Sequence, residues 1–194
     1  MYKSRFYEIL IGDPDSRSAL WLENIYLQLS KEEIDEIHYG RLTPPQDVCL
    51  HVMSGRKKSD GVGSDRKLEL VSDRVIECLL NIEATGWTSY PVKVVRKNGD
   101  LLTGYNIFAI THKYGFLDAT NAIEKPWQLR PDSKIIMERY GYELVNIQPE
   151  KYDFLRPENI TLDVCSERVK LALEAVRPAL VDIRFEALDE MKII

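Results

Sequence analysis

The sequence predicts an α+β fold: a mixed sheet carrying two equivalent strand–helix–strand units and a central β-hairpin. The first observation behind this is an internal repeat. Val71-Ser72-Asp73-Arg74-Val75-Ile76-Glu77-Cys78-Leu79-Leu80 is echoed 94 residues later by Cys165-Ser166-Glu167-Arg168-Val169-Lys170-Leu171-Ala172-Leu173-Glu174, and strand-like runs flank both copies. The second is an Asn98-Gly99 pair between Val94-Val95 and Leu101-Leu102, a strong short-range hairpin signal. The third is composition: 194 residues, 44% hydrophobic and 29% charged, suit a single domain that buries its own core.

Residues 2–11 alternate weakly and stop at Gly12-Asp13-Pro14-Asp15, which predicts an edge or terminal strand followed by a turn. Ser30 with Glu33 three residues on is the capping-box spacing, in which the hydroxyl takes one orphan amide and the carboxylate another, so a short acidic helix begins here. Thr43-Pro44-Pro45 should end it, because proline cannot continue a helix and disfavours helical geometry in the residue before it. Residues 47–53 read as a strand. Residues 54–65, rich in Gly, Ser and charge, read as a mobile loop; Gly61-Val62-Gly63 fits no phosphate-cradling pattern, since a strand follows it.

In the first copy Leu68, Leu70 and Val71 form a strand, Ser72 is the N-cap, and Asp73 sits at the positive end of the helix dipole. Val75, Cys78, Leu79 and Ile82 make one buried stripe, Gly86 the exit, and residues 89–95 the returning strand. The hairpin, read as type I′, continues through residues 104–110. Residues 111–133 lack a period and read as a long excursion, before strand-like runs at 134–137 and 143–147. The second copy has residues 160–162 as strand, Ser166 as N-cap, Val169, Ala172, Leu173 and Val176 as stripe, and 181–188 as final strand. Arg74 and Arg168 occupy the same helical position. A guanidinium paired with a nearby carboxylate or carbonyl is the expected role for each, because a residue duplicated in two units is hard to use as one active site.

A net charge of −5 and a pI near 5.3 weigh against nucleic acid, which needs a basic face, and favour a basic partner. Cys49, Cys78 and Cys165 are odd in number and widely spaced, unlike a disulfide framework or a zinc knuckle, so a reducing compartment is expected. The N-terminus lacks the apolar core of a signal peptide and no stretch approaches the ~20 apolar residues that span a bilayer, which predicts a cytoplasmic protein with no membrane contact. Cys49 and His51, two apart on a strand, share a face and could pair with a metal or each other, but no further ligand is near in sequence. His112, Lys113 and Asp118 could be assembled into acid–base chemistry that no motif supports. No catalytic residue, metal or cofactor is therefore expected; the alternative is a small cytoplasmic enzyme of unknown reaction with a site near Cys49/His51 or His112.

Two features suit protein contact. Glu32, Glu33, Asp35 and Glu36 form an acidic run that would meet a basic surface or serve as a solvated helix face. Tyr114, Phe116 and Trp127, in the excursion, would supply contact area at low entropic cost or plug the edge of the core.

Leu70-Val71-Ser72-Asp73-Arg74-Val75 with Tyr90-Pro91-Val92 after it, and Val164-Cys165-Ser166-Glu167-Arg168-Val169 with Phe185-Glu186-Ala187-Leu188 after it, resemble a bacterial immunity-protein family. That family was first described from a myxobacterial protein, is the eleventh in the immunity-protein series, and was formerly a domain of unknown function. The resemblance covers residues 66–194 and leaves residues 1–65 as a variable N-terminal part of the one domain. It implies a non-catalytic protein that binds and neutralises a cognate toxin, expected to be basic, of a polymorphic toxin system. The shared motif is structural and carries no toxin-contact residue. The second copy lacks the glycine that the family often has between helix and strand. Homodimerisation is left open.

Overall fold

The computed structural model describes residues 5–12, 20–22, 29–55, 58–64, 68–128, 133–148 and 151–193. The start of the first expected strand and the turn at Asp13-Pro14-Asp15 lie outside them. The elements in order are β1 (Phe6–Ile11), β2 (Trp21–Leu22), α1 (Lys31–His38), β3 (Cys49–Ser54), β4 (Gly61–Val62), β5 (Glu69–Ser72), α2 (Asp73–Asn81), β6 (Trp87–Pro91), β7 (Lys93–Val95), β8 (Leu101–Leu102), β9 (Tyr105–Ile110), β10 (Phe116–Asp118), β11 (Ile123–Trp127), β12 (Ile136–Tyr140), β13 (Glu143–Val145), β14 (Phe154–Leu155), β15 (Val164–Ser166), α3 (Glu167–Ala175) and β16 (Ile183–Ala187). The fold is α+β.

The repeat is a pair of four-stranded sheets, ordered β4-β5-β9-β6 and β14-β15-β1-β16, in which all neighbours are antiparallel. The strands that flank each helix therefore run parallel to one another with a third strand between them. In the first unit that middle strand is β9, which follows β6; in the second it is β1, from the opposite end of the chain. The expected edge strand at the N-terminus is thus an interior one. Its backbone is paired on both sides, while Tyr7, Ile9 and Ile11 enter the core.

Ser72 lies opposite Tyr105 and Ser166 opposite Phe6, whereas Ser89 faces Phe108 and Phe185 faces Ile9. On that register the second copy is two residues longer between helix and strand. Asp182 stands where the first copy has Gly86: φ is 61° at Asp182 and 87° at Gly86, and each carbonyl accepts a hydrogen bond, from Gly12 N and Thr111 N respectively, at 2.9 Å. The missing glycine changes the residue but not the turn, because a short polar side chain tolerates the left-handed region.

The two units hold each other through matching buried aspartates. Asp60 accepts the Ser72 hydroxyl at 2.6 Å, Arg74 Nη1 at 3.0 Å and the Val181 amide at 3.0 Å. Asp153 accepts the Ser166 hydroxyl at 2.9 Å, Arg168 Nε at 3.1 Å and the Thr85 amide at 3.0 Å. Each arginine then reaches across, Arg74 to the Pro178 carbonyl and Arg168 to that of Ile82. Carboxylate and carbonyl are both engaged, as the sequence reading expected. Burial works to raise the Asp153 carboxyl, but Arg168, the Thr85 amide and the Ser166 hydroxyl hold it below its ordinary range. Asp60 lies in the stretch expected to be a mobile loop. That expectation is corrected for the described residues: Ser59 and Asp60 are buried, and Gly61–Val62 is a strand.

The caps differ in detail. Ser30 and Glu33 form the full capping box of α1, which ends at Tyr39, before the Thr43-Pro44-Pro45 stop. Both serines donate their hydroxyl to the buried aspartate, but only Ser166 Oγ also accepts a cap bond, from Val169 N at 3.4 Å; Ser72 makes no side-chain cap bond.

Three cores follow. The face shared by the two units buries Val75, Leu79, Val169 and Leu173 of the helices with Ile9, Phe108, Ile110 and Phe154. The outer face of the first unit is covered by α1 and the mixed sheet β2-β3-β7-β8, around Leu50, Leu70 and Ile107. The outer face of the second is covered by β10 and β13, around Phe6, Leu117, Leu155 and Val164. The expected 89–95 strand is two, because β6 stays with the first unit while β7 joins the mixed sheet. The hairpin joins β7 to β8, but only Gly99 has positive φ and its amide bonds Arg96 O at 2.9 Å, so the turn is type I with a left-handed glycine, not type I′. Gly104 then redirects the chain, and β9 leaves for the first unit. The last strand before α3 is Val164–Ser166, not residues 160–162.

Removing one partner of a buried ion pair leaves the others unpaired. Asp60→Ala and Asp153→Ala should each lower unfolding stability in urea by roughly 3 kcal/mol. Arg168→Ala, whose side chain is 54% exposed, should cost about 1 kcal/mol.

Candidate functional site

The described part of residues 111–133, read as an excursion, and the strand-like runs after it form two nested antiparallel ribbons. β10 pairs with β13, setting Leu117 opposite Leu144 and Asp118 opposite Glu143. β11 pairs with β12, setting Trp127 opposite Ile136, Pro126 opposite Met137 and Ile123 opposite Tyr140. The first ribbon is packed down by Leu117 and Leu144. The second is tied to the chain's C-terminal end, where Glu138 accepts Lys192 Nζ at 2.5 Å and the Ile193 amide bonds Arg139 O at 2.8 Å, and to the first ribbon's edge, where Arg139 donates to the Ala119 carbonyl at 2.8 Å. Every residue of β11 is exposed, and so are Ile135, Ile136 and Met137, the first and last more than half so at 58% and 57%. Ile123, Trp127 and Ile136 share one face of the ribbon and Met137, opposite Pro126, lies on the other, so apolar side chains stand exposed on both faces of a ribbon that belongs to none of the three cores.

Between the ribbons and the end of the second unit's sheet lies a cleft of about 500 Å³. Phe6, Ile123, Tyr140, Tyr142, Leu144 and Leu188 form its walls, and Arg5, Asp118, Asn121, Glu143 and Asp189 its polar lining.

The partner-contact residues expected from sequence are dispersed. On α1, Glu33 is committed to its capping box and Glu36 to Arg41 at 3.3 Å; Glu32 is exposed and Asp35 half-buried. Tyr114 and Phe116 are partly exposed near β10, with the Tyr114 ring 5.6 Å from Tyr152. Trp127 sits on the second ribbon with Lys192 Nζ 5.6 Å from its ring centre. For the enzyme alternative, Cys49 is half-buried and His51 exposed on β3, while the His112 ring lies tilted against Tyr152 with centroids 4.6 Å apart. None of the three lines the large cleft. Among the described residues no group of three or more His, Cys, Asp or Glu is placed to hold a metal, and no helix is long and apolar enough to cross a membrane.

Sequence reasoning missed Ile123, Ile135, Ile136 and Met137. The signal was there, in an Ile-x-Lys-x-Trp alternation and an Ile-Ile-Met run, but the intervening prolines and the lack of a helical period hid the pairing.

A second missed feature is interior. Arg156, just past β14, bonds His38 O at 2.8 Å, Ile110 O at 3.3 Å and Asp163 Oδ2 at 3.1 Å, so one buried guanidinium ties α1, β9 and the approach to β15. Around Asp163 stand Glu8, Glu69 and, across from Glu8, Glu186. Burial, with Glu186 and Asp163 adding repulsion, raises the Glu8 carboxyl from its ordinary 4.5 to about 7. Glu69 is raised well above its ordinary range by burial and by Asp163, against the pull of Arg156.

Comparison with models of protein families and with curated proteins finds no match to this chain.

Because Glu8 and Glu69 keep protons in the fold that the unfolded chain has released, the native state binds more protons than the unfolded one above the ordinary carboxyl range. Stability should therefore fall as pH rises from about 4.5 through about 7. Urea titrations across that window should show the decline, and Glu8→Gln should flatten it.

Proposed function

We propose that this chain is a non-catalytic immunity protein that binds and neutralises a cognate protein toxin of a bacterial polymorphic toxin system. The carrying observation is the β11–β12 ribbon, which holds Ile123, Trp127, Ile135, Ile136 and Met137 in the open although their side chains would be more stable under cover. Large apolar and aromatic side chains held on a paired two-stranded ribbon are the usual kind of anchor in protein interfaces. Tyr114 and Phe116 add partly exposed aromatic surface on the neighbouring segment. The resemblance of both Ser-acid-Arg units to the immunity-protein family supports the choice of partner class. Those units are themselves occupied with holding the fold, through Asp60 and Asp153, so recognition falls to the unrepeated residues.

The test is co-expression with the product of the toxin-like reading frame beside the gene. Protection of the host and a stable complex on gel filtration are expected; the reading fails if neither is seen. Trp127→Ala should weaken that complex by about 2 kcal/mol while leaving the melting temperature nearly unchanged.

A further inference from the structure

We propose that the open edge of β12 takes up an extended segment of the partner protein as an added strand of the ribbon. This rests on the reading of the chain as a toxin-binding protein and names how that partner is held. Along an antiparallel strand, alternate residues turn their N–H and C=O groups to opposite edges. At the foot of β12, Arg139 O accepts the Ile193 amide and the Gly141 amide donates to Met191 O, both at 2.8 Å, on either side of the Tyr140–Lys192 bridge. Odd-numbered residues here therefore face away from β11, and the chain itself already pairs along this edge. The next outward residue is Met137, and Ile135 continues the alternation. Among the described residues neither finds a hydrogen-bond partner for its N–H or C=O on that side.

The other edge of the ribbon is closed to pairing. On β11 the outward residues are Glu124 and Pro126, and a proline has no N–H to give. Around the open groups of β12 the side chains are apolar on both faces: Ile136 beside Trp127 on one, Ile135 and Met137 on the other, all of them exposed. A strand carrying β-branched residues would cover both faces while meeting the backbone groups. Lys134, exposed and in alternation with Ile136, favours a carboxylate across from it. A second copy of this chain fits the edge less well. Antiparallel pairing centred on Ile136 or Met137 would bring its Ser133 or Ile135 to the place beside Arg139 that Ile193 holds. Centred on Ile135, it would set Ile136 against Lys134 and Met137 against Ser133, leaving apolar opposite polar. The complement is thus a foreign, proline-free strand with an acidic residue at its end.

The experiment titrates the full chain, followed by NMR of its amides, with the blocked peptide acetyl-Ser-Val-Thr-Val-Glu-Ser-amide, with the same peptide N-methylated at both valines, and with a lysine counterpart in place of glutamate. The first peptide is expected to shift the Ile135 and Met137 amides and to slow hydrogen exchange at Met137. N-methylation, which removes two backbone donors and leaves the side chains, should weaken binding about tenfold or more, and the lysine exchange should weaken it about threefold. Met137→Pro removes the outward N–H at a position where an edge strand tolerates proline, so it should lose the peptide and keep its melting temperature; if it unfolds, the N-methyl comparison on the unaltered chain decides. No shift at millimolar peptide, equal binding of either altered peptide, or self-association of the chain that Met137→Pro abolishes would each overturn the proposal. The two readings separate cleanly. A toxin complex that leaves exchange at Met137 unchanged removes the edge pairing and keeps the immunity role, whereas peptide pairing at Met137 without any toxin complex does the reverse.

Discussion

Two buried carboxylates, Asp60 and Asp153, are the constraint on which the architecture rests. An aspartate out of water needs several donors, and each of these finds them in three places: a serine at the strand-to-helix junction, an arginine in the first turn of the helix, and an amide from the other unit. The third donor joins a local motif to a global one. Neither unit satisfies its aspartate alone, since Val181 belongs to the second unit and serves the first, and Thr85 does the opposite. Docking of the two helices over Val75, Leu79, Val169 and Leu173 and closure of both polar networks are therefore one event.

The pseudo-symmetry is broken in ways that matter. The middle strand of the first unit, β9, comes after its β6, while that of the second, β1, is drawn from the other end of the chain. Closing the second unit thus requires contacts of very long sequence separation, the kind that carries a high loop-closure cost. The outer faces also diverge. One is covered by α1 and a mixed sheet, the other by a short ribbon, and Arg156 joins those two territories by bonding the end of α1, the end of β9 and Asp163.

Division of labour between repeated and unrepeated parts follows from this. Residues of the repeat are consumed in mutual satisfaction and leave little free chemistry. The nested ribbons β10/β13 and β11/β12 contribute to one core among the described residues, leaving apolar side chains of β11 and β12 exposed, and a cleft lies between the ribbons and the end of the second unit's sheet. Of the acidic α1 run, Glu33 and Glu36 are engaged within the chain, by the capping box and by Arg41.

Ser72 makes no side-chain cap bond, and Cys78, Ile82, Ala172 and Val176 are only half-buried, but the fold class, the helix starts, the buried pairs Val75/Leu79 and Val169/Leu173 and the roles of Arg74 and Arg168 were legible from the residues alone. These depend on spacing within a few residues, and a helix period or a cap is written locally. Tertiary structure alone decided that β1 is interior, that Asp60 anchors a stretch resembling a loop, that Asp182 takes the place of Gly86, and that Asp118 meets Glu143. Each of those is a pairing between segments distant in sequence. A single chain carries no mark of such a pairing until the cost of leaving a carboxylate or a strand edge unsatisfied forces the partners together.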